Sequence, residues 1–580
     1  SIDIETYRLK AQEAIEYVFV KEYHNSLGIP MPIVKMLLPD DANYSTGQYY
    51  ITIDKTWQIH LNFGKLPISY HEFQNEVKVL TRHEIEHYMC CPFDVITHFR
   101  MLKRIRDVYY KHFSHLGINI EYACGAISNQ AADIIVDTKN YYRHSKETLK
   151  SEIDWIKIGA NISACPRHCK LMFLTKEAIW KEDLGINETD PEFLKIVHQL
   201  ADSFTKNGIE DKSSFLDKVE EYAEIFFKLY VEDQKNPQQS SQQGSQQQSG
   251  QQGPQQQSGQ QGPQQQSGQQ GSQQQSGQWG VGRPKDGDEH GNAFVFADPD
   301  KVKEAIEVLA EETSVEEFID LLAIAGIIGM SDKQKGVLWF NVQSANIIPI
   351  VEFSNTGNKS SYTYPSVWRI GDPIEELDLM LTYMTSPRLI PGMTTKKWGY
   401  VSNDDNGTES KQMDLLLVVD TSGSMGSAMK ESANMHQAVL ASYGILSYFE
   451  STKSKVAFIG FSDKIDAYVD WSDKYDDVRE RLLTNGHGGT KFPISRIKST
   501  LDVRSRDLVT VLITNGDLGN INESVSYFRD YLNDDNKLYI FLLGGSKSLH
   551  SYEPLKNIGA KIYNANNANE FCDMVLTDME

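Results

Sequence analysis

The chain has 580 residues, which predicts about three or four domains rather than a single hydrophobic core. Its formal net charge of −22 argues against nucleic acid as a partner, because phosphate binding requires clustered Lys and Arg, and the sequence has no such cluster. Its six cysteines do not form a disulfide framework, and no apolar run approaches the ~20 residues that a membrane span requires. These features predict a soluble cytoplasmic protein without a membrane partner.

The first part of the chain is predicted to combine helices with a short hairpin. Apolar residues recur at helical spacing over Ile2–Glu22. The β-rich segments Gln48–Ile53 and Trp57–Phe63 predict a small hairpin or sheet edge, and Tyr70–Met89 predicts a long helix. This helix carries the sequence HEIEH at residues 83–87, which is the first pattern with metal chemistry.

Residues 83–87 form a metal-binding pattern when they lie on a helix. His83 and His87 are one turn apart on the same face, so both imidazoles can bind one Zn²⁺. Glu84 lies beside them as a general base, which could take a proton from water and deliver it to a leaving amine. The alternative is an exposed, charged helix whose histidines pair with Glu84 and Glu86. The metal interpretation predicts a peptidase.

A third ligand is expected from a later helix, Ala123–Tyr142. This segment contains Asp133 and Asp137, two carboxylates four residues apart on one face, and small alanines that allow close packing. One carboxylate could complete a zinc site with the two histidines, while the other orients a ligating imidazole from behind.

The combination of His-Glu-x-x-His with Asn-x-Ala-Ala-Asp, from Asn129 to Asp133, resembles a zincin-like metallopeptidase domain. That domain is found fused to von Willebrand factor A-like domains in bacterial and viral proteins. The resemblance implies that Asp133 is the third zinc ligand, and Asp137 stands where the family usually has Asn. The strand Trp57–Phe63, ahead of the zinc helix, resembles the substrate-binding edge strand of such peptidases.

Cys165, His168 and Cys169 could suggest a second metal site. Three residues separate the cysteines and no second pair lies nearby in the sequence, so we favour buried thiols in a loop. Leu171–Glu232 then returns to helical patterning and ends in an amphipathic helix over Phe215–Val231.

A low-complexity tract follows the helices. From Gln234 to Gln278 the chain consists mostly of Gln, Ser, Gly and Pro, with a nine-residue repeat that begins at Gly244. Such a tract has almost nothing apolar to bury and cannot offset the entropy cost of ordering. We predict a flexible tether with a root-mean-square reach of about 35–40 Å. It would separate a peptidase-like domain at 1–233 from the rest, with the linker at 234–289.

Residues 290–400 are predicted to form a mixed α/β lead-in that packs on the domain after it, and an independent small domain is the alternative. The expected elements are the helices Asp298–Leu309 and Ser314–Ile328 and the strand-like segments Val337–Val342 and Ile347–Phe353.

Residues 413–580 are predicted to form a doubly wound α/β domain. After a first strand, Leu415–Val419, the predicted elements are the helix Ser427–Glu450, the strand Lys455–Ser462, the helix Asp473–Leu483, the strand Leu508–Thr514, the helix Glu523–Asn533, the strand Lys537–Gly544 and the helix Ala568–Leu576.

The first strand of this domain leads into a second candidate metal site. Asp420, Ser422 and Ser424 are expected to lie beyond its carboxyl end, where open α/β sheets bind ligands. Their oxygens suit Mg²⁺ or Mn²⁺.

The pattern Asp-x-Ser-x-Ser resembles the metal-ion-dependent adhesion site of von Willebrand factor A domains. The resemblance implies that Thr490, in the sequence NGHGGT, is a further ligand. Asn515 stands where the family has Asp, and Asp517 could supply the missing charge. A divalent ion held there would bind a protein partner by accepting its carboxylate.

Two functions remain open from the sequence. The first is a zinc metallopeptidase whose tethered A-like domain recruits a substrate or partner. The second is a non-enzymatic adaptor, because intracellular domains of this kind resemble partners of MoxR-type AAA+ ATPases and the D subunits of magnesium chelatases. The chain has no Gly-x-x-x-x-Gly-Lys-Ser/Thr sequence, so an ATPase would be a separate protein.

Overall fold

A computed structural model of the chain describes residues 4–235, 299–345 and 413–565, and three two-residue strands between residues 366 and 397. Within those ranges it leaves out 42–43, 45, 47–48, 54–56, 65–68, 160–161, 328, 505–506, 517 and 545–549. The chain divides into two compact units, Ser1–Glu312 with Glu317–Gly329, and Thr313–Glu316 with Met330–Glu580. No helix among the described residues is both long and apolar enough to cross a membrane.

The first unit begins with helix α1, Ile4–Glu16, which continues into a π-helical turn and is followed by a three-stranded sheet. Strands β1 (Ile33–Met36), β2 (Tyr49–Ile53) and β3 (Gln58–Phe63) lie in the order β1-β3-β2. β3 pairs antiparallel with β2, as the sequence predicts for a hairpin, and parallel with β1. The prediction that β3 is an edge strand is therefore wrong, because β1, only four residues long, gives too little alternation to be recognised.

Helix α2, Tyr70–Met89, has the bounds that the sequence predicts. The hydroxyl of Ser69 accepts a hydrogen bond from the Glu72 amide at 3.3 Å and so caps its first turn. One side of α2 packs through Phe73 and Val77 into a core shared with α1 and the sheet. Another side packs against α4, which spans Ile120–Gly159. Helix α2 is therefore buried on two sides. The next helix in the chain is α3, Val95–Val108.

Helix α4 folds back on itself at His144, its one non-helical residue, with φ −137° and ψ 50°. Asp137 and Glu152 both contact the ammonium of Lys176, although a straight helix would hold them about 22 Å apart. The two arms of α4 therefore meet at Lys176. The remaining helices of this region are α5 (Arg167–Trp180), α6 (Pro191–Thr205) and α7 (Phe215–Lys235).

The next helices that the structure describes after the low-complexity tract are α8 (Pro299–Glu312), α9 (Val315–Ile324) and α10 (Asp332–Ala345). Helix α8 packs against α3 in the first unit, whereas α10 belongs to the second unit. The residues that flank the tract, Lys235 and Pro299, both belong to the first unit, so the division between the units does not coincide with the predicted linker.

The strand predicted over Val337–Val342 is wrong, because these residues lie inside α10. The Ser331 hydroxyl accepts from the Gln334 amide at 3.2 Å and caps the helix, and Trp339 and Phe340 are buried against the second unit's own helix Asn434–Ser451. Tertiary burial here outweighs the strand preference of aromatic and β-branched residues. The predicted strand Ile347–Phe353 lies outside the described residues.

A small antiparallel sheet lies between the two larger folded regions in the sequence. Its strands, in the spatial order β4-β6-β5, are β4 (Ser366–Val367), β5 (Leu377–Asp378) and β6 (Lys396–Lys397).

The second unit contains a six-stranded sheet in the order β12-β11-β10-β7-β8-β9. Its strands are β7 (Asp414–Asp420), β8 (Val456–Phe461), β9 (Ile465–Ser472), β10 (Leu508–Thr514), β11 (Lys537–Leu543) and β12 (Lys561–Ala565). All neighbours are parallel except β9, which runs antiparallel to β8. This order is that of a doubly wound α/β fold, as predicted. Neither edge strand, β9 or β12, is predicted from the sequence.

Helices pack on this sheet through alternate residues of its strands. Leu416 and Val418 of β7, for example, share one core with Ile497 and Phe528. The predicted helix from Ser427 begins only at Asn434, because residues 427–433 form turns. The predicted helix Ala568–Leu576 lies outside the described residues. The described helices are α11 (Asn434–Ser451), α12 (Tyr475–Leu482), α13 (Ile494–Leu501), α14 (Val525–Asn533) and α15 (Glu553–Lys556).

Candidate metal centres

Three potential ligand atoms converge where α2 meets α4. The Nε2 atoms of His83 and His87 lie 3.1 Å apart, and Oδ1 of Asp133 lies 3.5 Å and 3.2 Å from them, respectively. Ligands in a tetrahedral zinc site with bonds of 2.0–2.1 Å lie about 3.3 Å from one another. The spacing of these three atoms therefore fits a zinc ion.

Hydrogen bonds fix which imidazole nitrogen faces the centre. Nδ1 of His87 lies 2.9 Å from the carbonyl oxygen of Cys91, which can only accept, so Nδ1 carries the proton. Nδ1 of His83 lies 2.7 Å from Oδ1 of Asp137 and donates in the same way. Both Nε2 lone pairs are thereby directed at the centre, which is the usual arrangement behind a metal-bound imidazole.

Asp133 provides a separate sign that the centre accepts a cation. Its Oδ1 atom is buried, and the possible partners that the structure describes for it are the Nε2 atoms of His83 and His87, while Oδ2 is 3.3 Å from the amide of Asn129. Burial lowers the pKa of His87, but the carboxylates of Asp133 and Glu84 outweigh burial and raise it to about 9. Without a metal, a proton therefore supplies the positive charge at this centre.

Buried charged side chains lie next to Nδ1 of His83, the ring nitrogen that does not face the centre. The second oxygen of Asp137 accepts from Lys176 Nζ at 3.0 Å, and Lys176 also pairs with Glu152. Lys176 is 2 % exposed and fully paired by these two carboxylates. The sequence predicts a role for Asp137 but not for Lys176 or Glu152. Lys176 is one of two lysines in α5, so nothing in the local sequence marks it, and no sequence pattern predicts the turn at His144.

The two glutamates of the HEIEH segment face different surroundings. Glu84 is buried and close enough to His87 to affect its pKa. Glu86 is completely buried on the other side, where it pairs with Lys139 at 2.8 Å and Arg143 at 3.0 Å. The alternative of an exposed, charged helix is wrong, because His83 and His87 are 6 % and 4 % exposed.

Residues 165–169 do not assemble a comparable set of ligands. The prediction of buried thiols in a loop is wrong, because His168 and Cys169 lie in the first turn of α5 and Cys165 is only half-buried. Nδ1 of His168 lies 2.9 Å from Asp233, and its ring packs against Phe226 and Tyr230. Burial raises the pKa of the Cys169 thiol to about 12, which keeps it protonated. Within the described part of the chain, His83, His87 and Asp133 are the one set of three His, Cys, Asp or Glu residues spaced to hold a metal.

The second candidate centre lies at the carboxyl ends of β7 and β10. Asp420 is the last residue of β7 and fully buried, so the expectation that it lies beyond the strand is wrong. Its Oδ1 accepts from the Ser422 amide at 2.9 Å, and its Oδ2 accepts from the Thr514 hydroxyl at 2.7 Å. These bonds hold the loop after β7 against the end of β10.

The hydroxyls of this loop form a short row. Oγ of Ser422 lies 3.1 Å from Oγ of Ser424, which lies 3.1 Å from Oδ1 of Asn515. Adjacent ligands in an octahedral Mg²⁺ shell are about 2.9 Å apart, so the row has a suitable spacing. The Asn515 amide also donates to the Ser424 carbonyl at 2.8 Å and fixes this side of the loop.

Thr490 and Asp517 are not placed at this centre by any described contact. The loop before Thr490 does reach it, because the Gly423 amide donates to the Gly488 carbonyl at 3.3 Å. The same loop requires glycine at 486, where a Cβ atom would lie 2.5 Å from the carbonyl oxygen of Thr421. Asp517 lies outside the described residues.

His436 holds the turn that follows the serine loop. Its Nδ1 donates to the Ala428 carbonyl at 2.8 Å, and its ring contacts Trp339 and Phe340. Burial lowers the pKa of His436, against the opposing effects of the Ala428 carbonyl and Glu431. A lowered folded-state pKa gives stability that is present above the unfolded value of about 6.5 and is lost as the pH falls.

We therefore expect the free energy of unfolding of the wild type to fall between about pH 7 and pH 5 by more than that of His436→Gln. Gln can keep a donor for Ala428 but cannot become charged. Urea unfolding of both proteins at the two pH values measures the difference. An equal pH dependence in the two proteins would contradict the role of His436.

Comparison with known proteins gives only distant matches. No family model matches the chain, and no curated protein matches it. Three solved structures each align with 29 % of this chain. They are the conserved hypothetical protein BatB from Bacteroides thetaiotaomicron (12 % identity, 97 % of its chain, TM-score 0.25), a von Willebrand factor type A protein from Catenulispora acidiphila (11 %, 42 %, 0.24) and an aerotolerance-related membrane protein from Bacteroides fragilis (13 %, 98 %, 0.22). At these TM-scores the likenesses assign neither a family nor an activity.

Proposed function

We propose that the first unit is a zinc-dependent metallopeptidase. The observation that carries the proposal is the convergence of His83 Nε2, His87 Nε2 and Asp133 Oδ1 within 3.1–3.5 Å, with Oδ1 of Asp133 buried. A zinc ion held by these atoms would supply Lewis-acid chemistry, polarising a peptide carbonyl and making a water molecule more acidic.

The protein side chains have separate roles in this proposal. His83, His87 and Asp133 hold the ion, and Asp137 keeps the Nδ1 proton on His83 so that Nε2 faces the ion. Glu84 follows His83 directly on α2 and is not one of the three ligands. Its carboxylate takes a proton from the attacking water and delivers it to the leaving amine.

An unbiased cleavage screen tests this function. Zinc-loaded wild-type protein is incubated with a proteome-derived peptide library, and new termini are identified by mass spectrometry. We expect cleavage that a zinc chelator abolishes and added zinc restores. Zinc-loaded protein that produces no new termini, or cleavage that is unaffected by the chelator, would contradict the proposal.

We also propose that the second unit is a von Willebrand factor A-like module that binds a protein partner through Mg²⁺ or Mn²⁺. Its support is the position of Asp420 and Asn515 at the carboxyl ends of β7 and β10. In the sheet, β8 lies on one side of β7 and β10 lies on the other. The carboxyl ends of β7 and β10 therefore form the switch point where doubly wound sheets bind ligands. A partner carboxylate would complete the coordination of the ion.

Without peptidase activity, this second module supports the adaptor function instead. The chain would then act in complex assembly or remodelling with a separate protein, for which a MoxR-type AAA+ ATPase is our candidate. The cleavage screen separates the two functions, because an adaptor would leave the library intact.

A further inference from the structure

Helix α3 carries a row of basic residues that face an acidic helical segment of the same chain. Arg100 pairs with Glu312 through two contacts, Nη2 to Oε1 at 2.5 Å and Nε to Oε2 at 3.1 Å. Arg106 lies 2.7 Å from Asp320 and 3.4 Å from Glu317. These acidic residues belong to α8 and α9, which follow the low-complexity tract in the sequence, and all three of them lie in the first unit.

Arg106 is the best-placed anchor of this contact. Its side chain is 10 % exposed, and its guanidinium lies 4.6 Å from the centre of the Tyr110 ring. An arginine held between an aromatic ring and carboxylates is already oriented for pairing, so less entropy is lost when the acidic segment binds. The Arg100 pair is more exposed, at 39 % and 38 %, and is therefore more sensitive to salt.

Apolar burial accompanies the ion pairs. Helix α8 packs against α3, and its Leu309 and Ala310 are fully buried. Burial of apolar side chains contributes affinity for any apolar partner, whereas the pattern of charges selects the partner and its orientation. The surface therefore fits an acidic, amphipathic helical segment.

We propose that Arg100, Arg106 and Lys103, whose Nζ lies 4.0 Å from Glu317, form a docking surface for the segment 299–324 of the same chain, which keeps the segment bound to residues 4–235 even when the covalent link between them is cut. Residues 236–298 would then join two parts that already associate. The entropy of closing a loop rises only slowly with its length, so a long tract is compatible with this docking. The docking does not depend on either proposed function.

Cutting the chain within the tract tests the proposal. A site for a specific protease is inserted after Gly262 in the full-length protein, and the cut protein is analysed by size-exclusion chromatography with light scattering. We expect the two fragments to co-elute at low salt with the mass of one intact chain. Fragments that separate at micromolar concentration, or a complex of twice that mass, would overturn docking within one chain.

Charge-swap variants show whether the named residues are responsible. Arg106→Glu faces Glu317 and Asp320 with a like charge and should weaken fragment association by about tenfold or more. Adding Asp320→Arg should recover most of that loss, which a variant that merely misfolds could not do. Lys111→Glu makes the same charge change at an exposed position just beyond α3 and should leave the affinity unchanged. Equal affinity of Arg106→Glu and wild type, or no recovery in the double variant, would overturn the assignment.

Discussion

We expect the Glu84→Gln variant to keep its zinc and to cleave peptides about 10²–10⁴-fold more slowly than the wild type, which is the usual contribution of a general base. Gln has the shape of Glu but cannot take a proton from water. Glu84 is not one of the three residues that form the centre, so its replacement removes no ligand. Zinc content and the rate on a substrate that the wild type cleaves are measured on the same preparation.

Glu86→Gln is the matched control for this variant, since it lies two residues along the same helix. It removes a charge that pairs with Lys139 and Arg143, so it should lower the free energy of unfolding by about 1.5–3 kcal/mol. It should leave cleavage by the folded protein intact, because its carboxylate does not face the histidines. A fully active Glu84→Gln variant would show that the assigned base is wrong.

Asp420→Asn is expected to weaken Mn²⁺ binding at the second centre by about tenfold or more, because it removes a fully buried carboxylate of that centre. The measurement is electron paramagnetic resonance of Mn²⁺ added to full-length protein whose first centre is already loaded with zinc. Asn retains an oxygen that can accept from Ser422 or Thr514, so the sheet should remain folded. Asp473→Asn, an exposed change of the same charge, is the control.

Asp420→Ala has a second effect that distinguishes it from Asp420→Asn. It leaves the Ser422 amide and the Thr514 hydroxyl without their acceptor, at a cost on the order of 2–4 kcal/mol for both. A loss of metal binding in Asp420→Ala alone could therefore reflect unfolding. Equal Mn²⁺ affinity in the wild type and Asp420→Asn would rule out a metal role for this carboxylate.

Local sequence patterns predict the helical spacing that brings the histidines together. His83 and His87 lie one turn apart on a helix whose bounds are also predicted, because Ser69 and the apolar spacing mark them. The choice of Asp133 rests on a family resemblance, since it requires knowing that α2 packs against α4. Lys176 and Glu152 could not be predicted, because they meet Asp137 only after the chain reverses at His144.

The errors in the sheet have similar causes. The central strands β7, β8, β10 and β11 are mostly apolar, because parallel strands covered on both faces have no polar side. The edge strand β9 reads IDAYVDWS, and its half-exposed residues give it a weaker signal. Residues 337–342 have a composition that favours a strand, but they form part of α10, in which Trp339 and Phe340 are buried.

The X-ray absorption spectrum of zinc bound to the full-length protein is the most direct test of the central claim, that His83, His87 and Asp133 hold the metal. We predict nitrogen and oxygen ligands at about 2.0–2.1 Å, two of them imidazoles, and a loss of about one bound zinc per chain in His83→Ala. Sulfur at about 2.3 Å would show that a cysteine thiolate binds the metal instead. That result, or a wild-type protein that retains no zinc after loading and dialysis, would contradict the account.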